Sequence, residues 1–422
     1  NGDQRTQVRG GTGIFTSRVP WVWPGGMFIR NGLNSSFAPG FGPFRATPNE
    51  WRDRLNLNSP SGDVDLFAED FKYPQFWRSS LAVDQKLPGN MILTVEGMYT
   101  DAINDLRVTN VNQVASTQRL QGADNRPIFS GDVIDDTYNY ITLVDNTNQG
   151  YTANLSVQLQ KPFANDWLGS IAYSFTRAVS LYDGTGFINS TNWRENPSVQ
   201  GRNSPILTRA TFDAGSRLSA FVAKKFRWNE NVATTISLFY NGQSGQPFTY
   251  VYTNGDALTG EDSEDSRAMI YVPASQNEIV FADQSTAAAQ WAALDAFISG
   301  DDYLSSRRGQ YVERNMSRTP FENLFDLKIA QDVSFNVGEK KHTFQITFDI
   351  FNLGNFLNPN WGKSYFIGDN GYFRLLRFVD FEPGTTTPRF AFDGVNGDPW
   401  TLIQTGTRSA RWYSQIGVRY SF

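Results

Sequence analysis

From Phe325 to Val337 the chain alternates: Phe325, Leu327, Ile329, Val333, Phe335 and Val337 are apolar, and Asp326, Lys328, Asp332, Ser334 and Asn336 stand between them. Such a period of two predicts a strand with one apolar and one ionic face. The pattern resumes at Phe344, Ile346, Phe348 and Ile350, against Gln345, Thr347 and Asp349. Only Gly338, Glu339, Lys340 and Lys341 separate the two runs, so they read as one antiparallel hairpin. The construction recurs. Tyr151 to Gln160 precedes Trp167 to Phe175, and Leu81 to Leu87 meets Met91 to Tyr99 across Pro88, Gly89 and Asn90. Leu218 to Phe226 meets Val232 to Tyr240 across Trp228, Asn229 and Glu230.

Between these hairpins lie long polar connections at about 101–148, 178–212 and 242–321. Tight turns on one side and long loops on the other are the asymmetry of an outer-membrane barrel. Several strands exceed the usual 5 or 6 residues, as tilted membrane strands of about 9 to 11 must. Aromatic residues gather at the strand ends: Trp77, Phe163, Trp167, Phe226, Trp228, Trp412, Tyr420 and Phe422. Such rings settle at the headgroup level and would form two girdles. The pattern predicts an all-β, antiparallel transmembrane β-barrel portion over residues 1–422, with 11 or 12 strand candidates and long extracellular loops. It predicts one loop helix, Thr286 to Ile298, with Trp291, Leu294 and Phe297 at helical spacing and Gly300 as its stop. A large soluble sandwich is the competing reading, in which the apolar faces pack inward.

Composition removes many chemistries. The 422 residues contain no Cys and one His, so disulfides, thiolate catalysis and Cys-type zinc sites are excluded. Lys+Arg 37 against Asp+Glu 42 gives a net charge of −5 with the signs interspersed, which offers no field for nucleic acid. A mean hydropathy of −0.42 would suit a soluble protein, yet an aromatic share of 14% is high for one. Barrel strands reconcile the two, because alternation averages out. No stretch approaches the roughly 18 apolar residues of a membrane helix.

Candidate chemistry is sparse. His342 follows a short turn and reads as a polar rim residue. Gly10, Gly11 and Gly13 do not have the spacing of a phosphate loop. Asp145 to Gly150 fails as a calcium loop, with Ser156 where the bidentate Glu belongs. The acidic run Glu261, Asp262, Glu264 and Asp265 reads as a solvated charge cluster. Asp135 with Asp136, and Asp301 with Asp302, are sequence neighbours unsuited to flank a glycosidic bond. The expectation is no enzyme, no cofactor and no metal. Outer loops with exposed aromatics, Trp193 and Trp291, are the places where a substrate would be met. With Phe325, Leu327 and Ile329 facing lipid, Asp326, Lys328, Asp332, Gln345, Thr347 and Asp349 face a lumen or plug.

Four stretches carry a family resemblance: RGGTGIFTSRVPWVW from Arg9, RGQYVERNMSRTPFENLFDLKIAQDV from Arg308, FDIFNLGNFLNPNWG from Phe348, and the closing RWYSQIGVRYSF. They resemble segments of the TonB-dependent receptors of Bacteroidetes, especially the Oar-like and SusC-like ones. The ending, with Tyr420 and Phe422, resembles the C-terminal insertion signal of outer-membrane proteins. The resemblance implies a barrel of about 22 strands with a plugged lumen, of which these residues would be the C-terminal half. A self-contained barrel of about 12 strands stays open on strand count. Implied partners are the N-terminal plug and barrel half of the same receptor, TonB acting through the plug, a surface lipoprotein, and the lipid bilayer with its lipopolysaccharide. The implied function is energised uptake of a bulky nutrient. The alternatives are a structural barrel scaffolding surface lipoproteins or secretion machinery, and a passive porin.

Overall fold

The computed structural model describes residues 5–33, 47, 49, 62–184, 186–261, 267–395, 397–402 and 410–422. Ten strands make a wall: β1 (Thr6–Thr16), β2 (Gln75–Leu87), β3 (Met91–Asn110), β4 (Gly150–Ala164), β5 (Trp167–Ser180), β6 (Gly215–Arg227), β7 (Val232–Gln243), β8 (Glu322–Val337), β9 (Lys340–Phe351) and β10 (Tyr413–Ser421). Each pairs antiparallel with the next in chain order. Three shorter strands extend the same sheet to thirteen. Among the described residues β1 and β10 do not pair with each other, so the expected barrel is an open sheet here with two free edges.

The turns explain the register. Asn165 and Asp166 join β4 to β5 with φ of 53° and 61°, the two left-handed residues that a type I′ hairpin requires. Gly338, at φ 63°, begins the β8–β9 turn, where a side chain would be strained. Lys340 and Lys341, expected in that turn, instead pair with Val337 and Asn336. A slip of one residue would exchange the faces of both strands.

Register then sorts the faces. Ile236, Ile329, Phe348 and Ile416 stand opposite one another across β7, β8, β9 and β10. Val8, Val83, Val95, Val157 and Tyr173 form another row across β1 to β5. These side chains are not packed inside anything: Leu81 is 62% exposed, Ile346 52%, Ile416 73% and Val418 72%. That rules out the sandwich reading, which needs them buried between sheets. From Phe325 to Phe335 the apolar face runs roughly 33 Å at about 3.3 Å per residue. At the ~40° tilt of such strands this spans about 25 Å, the height of the apolar band of a membrane barrel.

The buried core lies elsewhere, in the connections opposite the tight turns. Segments 244–321 and 352–412 fold together into a five-stranded sheet whose central strands, Pro247–Thr253 and Tyr372–Phe381, run parallel. Phe248, Tyr250, Tyr252, Leu376, Phe378 and Phe390 fill its core. The helix Ala287–Gly300 packs Leu294 and Ile298 against them, with Trp291 and Phe297 half-buried. A second core joins Val108, Val144, Leu181, Tyr182 and Trp193. The expected loop 101–148 is partly strand: β3 continues to Asn110, and Tyr140–Thr147 pairs with its last six residues. These connections form a folded cap, with further helices at Val22–Ile29 and Asn189–Arg194 beyond the one expected.

Candidate functional site

The face of the wall opposite the apolar one carries most of the charged and polar side chains, with Phe221 and Phe239 among them. Lys328 Nζ lies 3.1 Å from Asp349 Oδ1. Asp332 accepts a hydrogen bond from Gln345 Nε2 at 2.8 Å and stands 3.5 Å from Lys225 Nζ. Asp326 accepts the backbone N–H of Asn352 at 2.8 Å. Thr347 stands opposite Ala330 and Gly417. The six residues singled out from the alternation therefore share one face of β8 and β9, opposite Phe325, Leu327 and Ile329. The polar face continues at Arg9, which reaches Asp84 at 3.0 Å and Glu96 at 3.2 Å, and at Arg217, which donates to Asn241 at 2.9 Å. Such water-exposed pairs each contribute little, about 0–1 kcal/mol. Their consequence is a wetted surface of both signs.

At the turn end of the apolar face the aromatics collect. His342 stacks on Phe335, Tyr420 and Phe422, with ring centroids 5.6, 5.7 and 6.3 Å away, and its Nδ1 is 2.5 Å from the Tyr420 hydroxyl. The lone histidine is thus part of an aromatic cluster that ties β10 to β9, rather than a simple polar rim residue.

The cap is held by buried arginines. Arg314, 4% exposed, donates to the carbonyls of Ser180 at 2.8 Å and Leu181 at 3.1 Å, to Thr208 Oγ1 at 3.3 Å and to Asn196. Arg318 bonds Asp213 at 2.5 Å and the Gly245 carbonyl at 2.9 Å. Together they fasten segment 181–214 to segment 244–321. Arg202 pairs with Glu261 at 2.9 Å, both side chains 4% exposed. Burial pulls the Arg202 guanidinium below its usual value, with Glu261 opposing the shift.

Several expectations change here. Trp193 is 1% exposed, its indole N–H bonded to Asn203 at 2.8 Å, so it is a core residue and presents no free ring to a solute. Trp291 is half-buried against the cap core. Glu261, read as part of a solvated acidic run, is buried and accepts from Arg202 and Gln113; Asp262, Glu264 and Asp265 lie outside the described residues. Asp301 accepts the Tyr250 hydroxyl at 2.6 Å and caps the helix Asp302–Ser306 through the Leu304 N–H at 2.8 Å. Asp135 accepts the Thr137 N–H at 2.9 Å. Both are turn and cap chemistry.

Burial also pushes the Tyr182 hydroxyl up to about 12, and those of Tyr271, Tyr303 and Tyr311 to about 12 as well. A raised folded value means that the cap keeps these protons where the unfolded chain, near 10, has lost them. Cap stability is therefore whole below pH 10 and falls as pH rises toward 12. In an alkaline absorbance titration this group of tyrosines is expected to ionise about two units after the exposed ones, with loss of cap protection. A single transition near 10 with the cap intact would contradict it.

Two aromatics that sequence reasoning passed over stand out: Phe187 and Phe212 are 82% and 70% exposed and line a cleft of about 420 Å3 in the cap. Neither lies in an alternating or helical run, so no periodicity marks them. Arg314 and Arg318, by contrast, fall inside the stretch from Arg308 quoted above.

Among solved structures the chain is similar to the outer membrane transporter YddB from Escherichia coli, at 12% identity and TM-score 0.40 over 99% of this chain and 39% of that one. It is similar to a mutant of the ferric enterobactin receptor PfeA from Pseudomonas aeruginosa, at 9% identity and TM-score 0.38 over 99% and 38%. A third is the FrpB iron transporter from Neisseria meningitidis, at 8% identity and TM-score 0.28 over 67% and 32%. The chain thus spans about two fifths of the length of the first two. No curated protein matches it. The model of the outer membrane beta barrel domain matches residues 1–368. With an exposed apolar face, a polar opposite face and that match over most of its length, the chain belongs to the outer membrane beta barrel domain family and resides in the outer membrane.

Proposed function

We propose that the chain is wall and outer cap of a TonB-dependent transporter that takes up a bulky nutrient, and that it forms about half of a barrel of some 22 strands. The observation that carries this is the pair of free edges. Backbone groups of β1 and β10 cannot stay unpaired in lipid, so further strands of the same receptor complete the ring. Asp326, Lys328, Asp332, Gln345, Thr347 and Asp349 then face a water-filled lumen and its plug, for which mixed charges are suited. The cap lies on the extracellular side, opposite the tight turns. Resemblance of the four quoted motifs to Bacteroidetes receptors supports the TonB dependence, with a surface lipoprotein as a further partner.

Deletion of the gene and, separately, of TonB should each abolish growth on the same limiting nutrient. Uptake that survives loss of TonB would point to a porin. Lipoproteins that co-purify with the protein, with no uptake at all, would point to a scaffold.

A further inference from the structure

The apolar face of the wall is not evenly filled. Where β4, β5, β6 and β7 run side by side it holds a groove of about 330 Å3. Two small residues make the floor: Gly169 stands opposite Val222, and Ala220 stands between Ile171 and Tyr240. Leu159, Ile171, Val222 and Leu238 rise around them as walls. On a face that meets hydrocarbon, an apolar groove of this kind takes an acyl chain, so its lining gives the class of occupant as lipid.

The end of the groove says which lipid. Toward the tight turns it is closed by Lys161, opposite Gly169. One row nearer the turns Lys224 stands opposite Trp167, its Nζ 4.8 Å from the centre of the ring. Lys161 lies two residues from Leu159, and Lys224 two from Val222, so both side chains belong to the apolar face. Lys224 otherwise reaches only the Asn165 carbonyl, at 3.5 Å, and neither that oxygen nor the indole neutralises its charge. Among the described residues no carboxylate pairs with either ammonium. The acids nearby are engaged elsewhere, Asp332 with Lys225 at 3.5 Å and Asp166 with Arg227 at 2.8 Å.

The two lysines are separated by one strand, roughly 10 Å across the sheet, and their flexible stems can bring both ammoniums to one anion between them. Phe163, Trp167, Phe226 and Trp228, all exposed, mark this zone as the headgroup level. A pair of unneutralised cations at that level, with an acyl groove leading inward from it, matches a phosphodiester whose own tail fills the groove.

We propose that this groove binds one anionic glycerophospholipid of the periplasmic leaflet, with its phosphodiester on Lys161 and Lys224 and an acyl chain over Gly169 and Ala220. A zwitterionic headgroup brings an ammonium of its own, which the two lysines repel. The inference goes beyond the transport reading and takes from it only the orientation of the wall, tight turns toward the periplasm; the binding is indifferent to what the barrel carries.

The test is native mass spectrometry of the full receptor, purified from outer membranes in detergent and titrated separately with phosphatidylglycerol, phosphatidylethanolamine and glycerol 3-phosphate. The first phosphatidylglycerol should bind about tenfold more tightly than the first phosphatidylethanolamine. Glycerol 3-phosphate, an anion without chains, should not bind. Lys161→Gln with Lys224→Gln should erase the preference, and Ala220→Phe, which fills the groove and keeps the lysines, should weaken phosphatidylglycerol about tenfold. Lys340→Gln, at another turn of the wall, should change neither. The comparison of lipids needs no variant, so it decides even where a substitution blocks assembly. Equal affinity for the two phospholipids, a preference that survives loss of both lysines, indifference to Ala220→Phe, or binding of glycerol 3-phosphate as tight as that of the lipid would overturn the proposal.

Discussion

Replacing Ile346 or Leu155 by arginine is expected to block assembly into the outer membrane, whereas Thr347→Arg assembles normally. Ile346 and Leu155 stand on the apolar face, 52% and 49% exposed, and in lipid that exposure is contact with hydrocarbon. A guanidinium there costs about 2–4 kcal/mol near the midplane, a large share of any domain's net stability. Thr347, one residue along β9, points to the opposite face, among Asp332, Gln345 and Asp349. Gly417, opposite it on β10, has no side chain to meet a longer one. Resistance to heat on unboiled gels and protection from external protease read the outcome. Equal assembly of all three variants would refute the assignment of faces.

Arg314→Ala is the second change of large expected effect, and it acts on the cap alone. The guanidinium serves acceptors at Ser180, Leu181, Asn196 and Thr208, all in or beside segment 181–214, while its own backbone belongs to segment 244–321. Truncation leaves buried carbonyls without donors and Asp183, 3.9 Å away, without its nearest cation. A loss on the order of 3–5 kcal/mol follows. Arg314→Lys should rescue little, because an ammonium cannot reproduce the planar fork. Hydrogen exchange should quicken in 181–214 and 308–318 while the wall strands stay protected. Unchanged exchange in the cap would show that the arginine does not fasten it.

How much was legible depends on what each face meets. On β8 and β9 lipid and water impose opposite demands on successive residues, so Phe325, Leu327 and Ile329 against Asp326 and Lys328 declare both strand and face. The cap obeys no such rule. Pro247–Thr253 alternates Phe248, Tyr250 and Tyr252 with Thr249, Val251 and Thr253, but it is buried on both faces for all but its last residue, so the alternation sorts no lipid from water and the run lies inside the expected loop 242–321. Its partner, Tyr372–Phe381, lies more than a hundred residues away, and no local pattern announces a pairing at that distance. Trp193 was misjudged for the same reason: Val108 and Val144, which cover it, come from another connection. The cap cleft is the extreme case, since Phe187, Phe212, Gln246 and Tyr372 converge from three separate segments.

The most direct test of the central claim uses the absence of cysteine from these 422 residues. Single cysteines placed in turn at 344 through 349 in the assembled receptor can carry a nitroxide, whose collisions with oxygen report lipid and with a polar nickel chelate report water. The account predicts strict alternation: oxygen dominant at 344, 346 and 348, the chelate dominant at 345, 347 and 349. Six positions with one common environment, or the two sets exchanged, would contradict it.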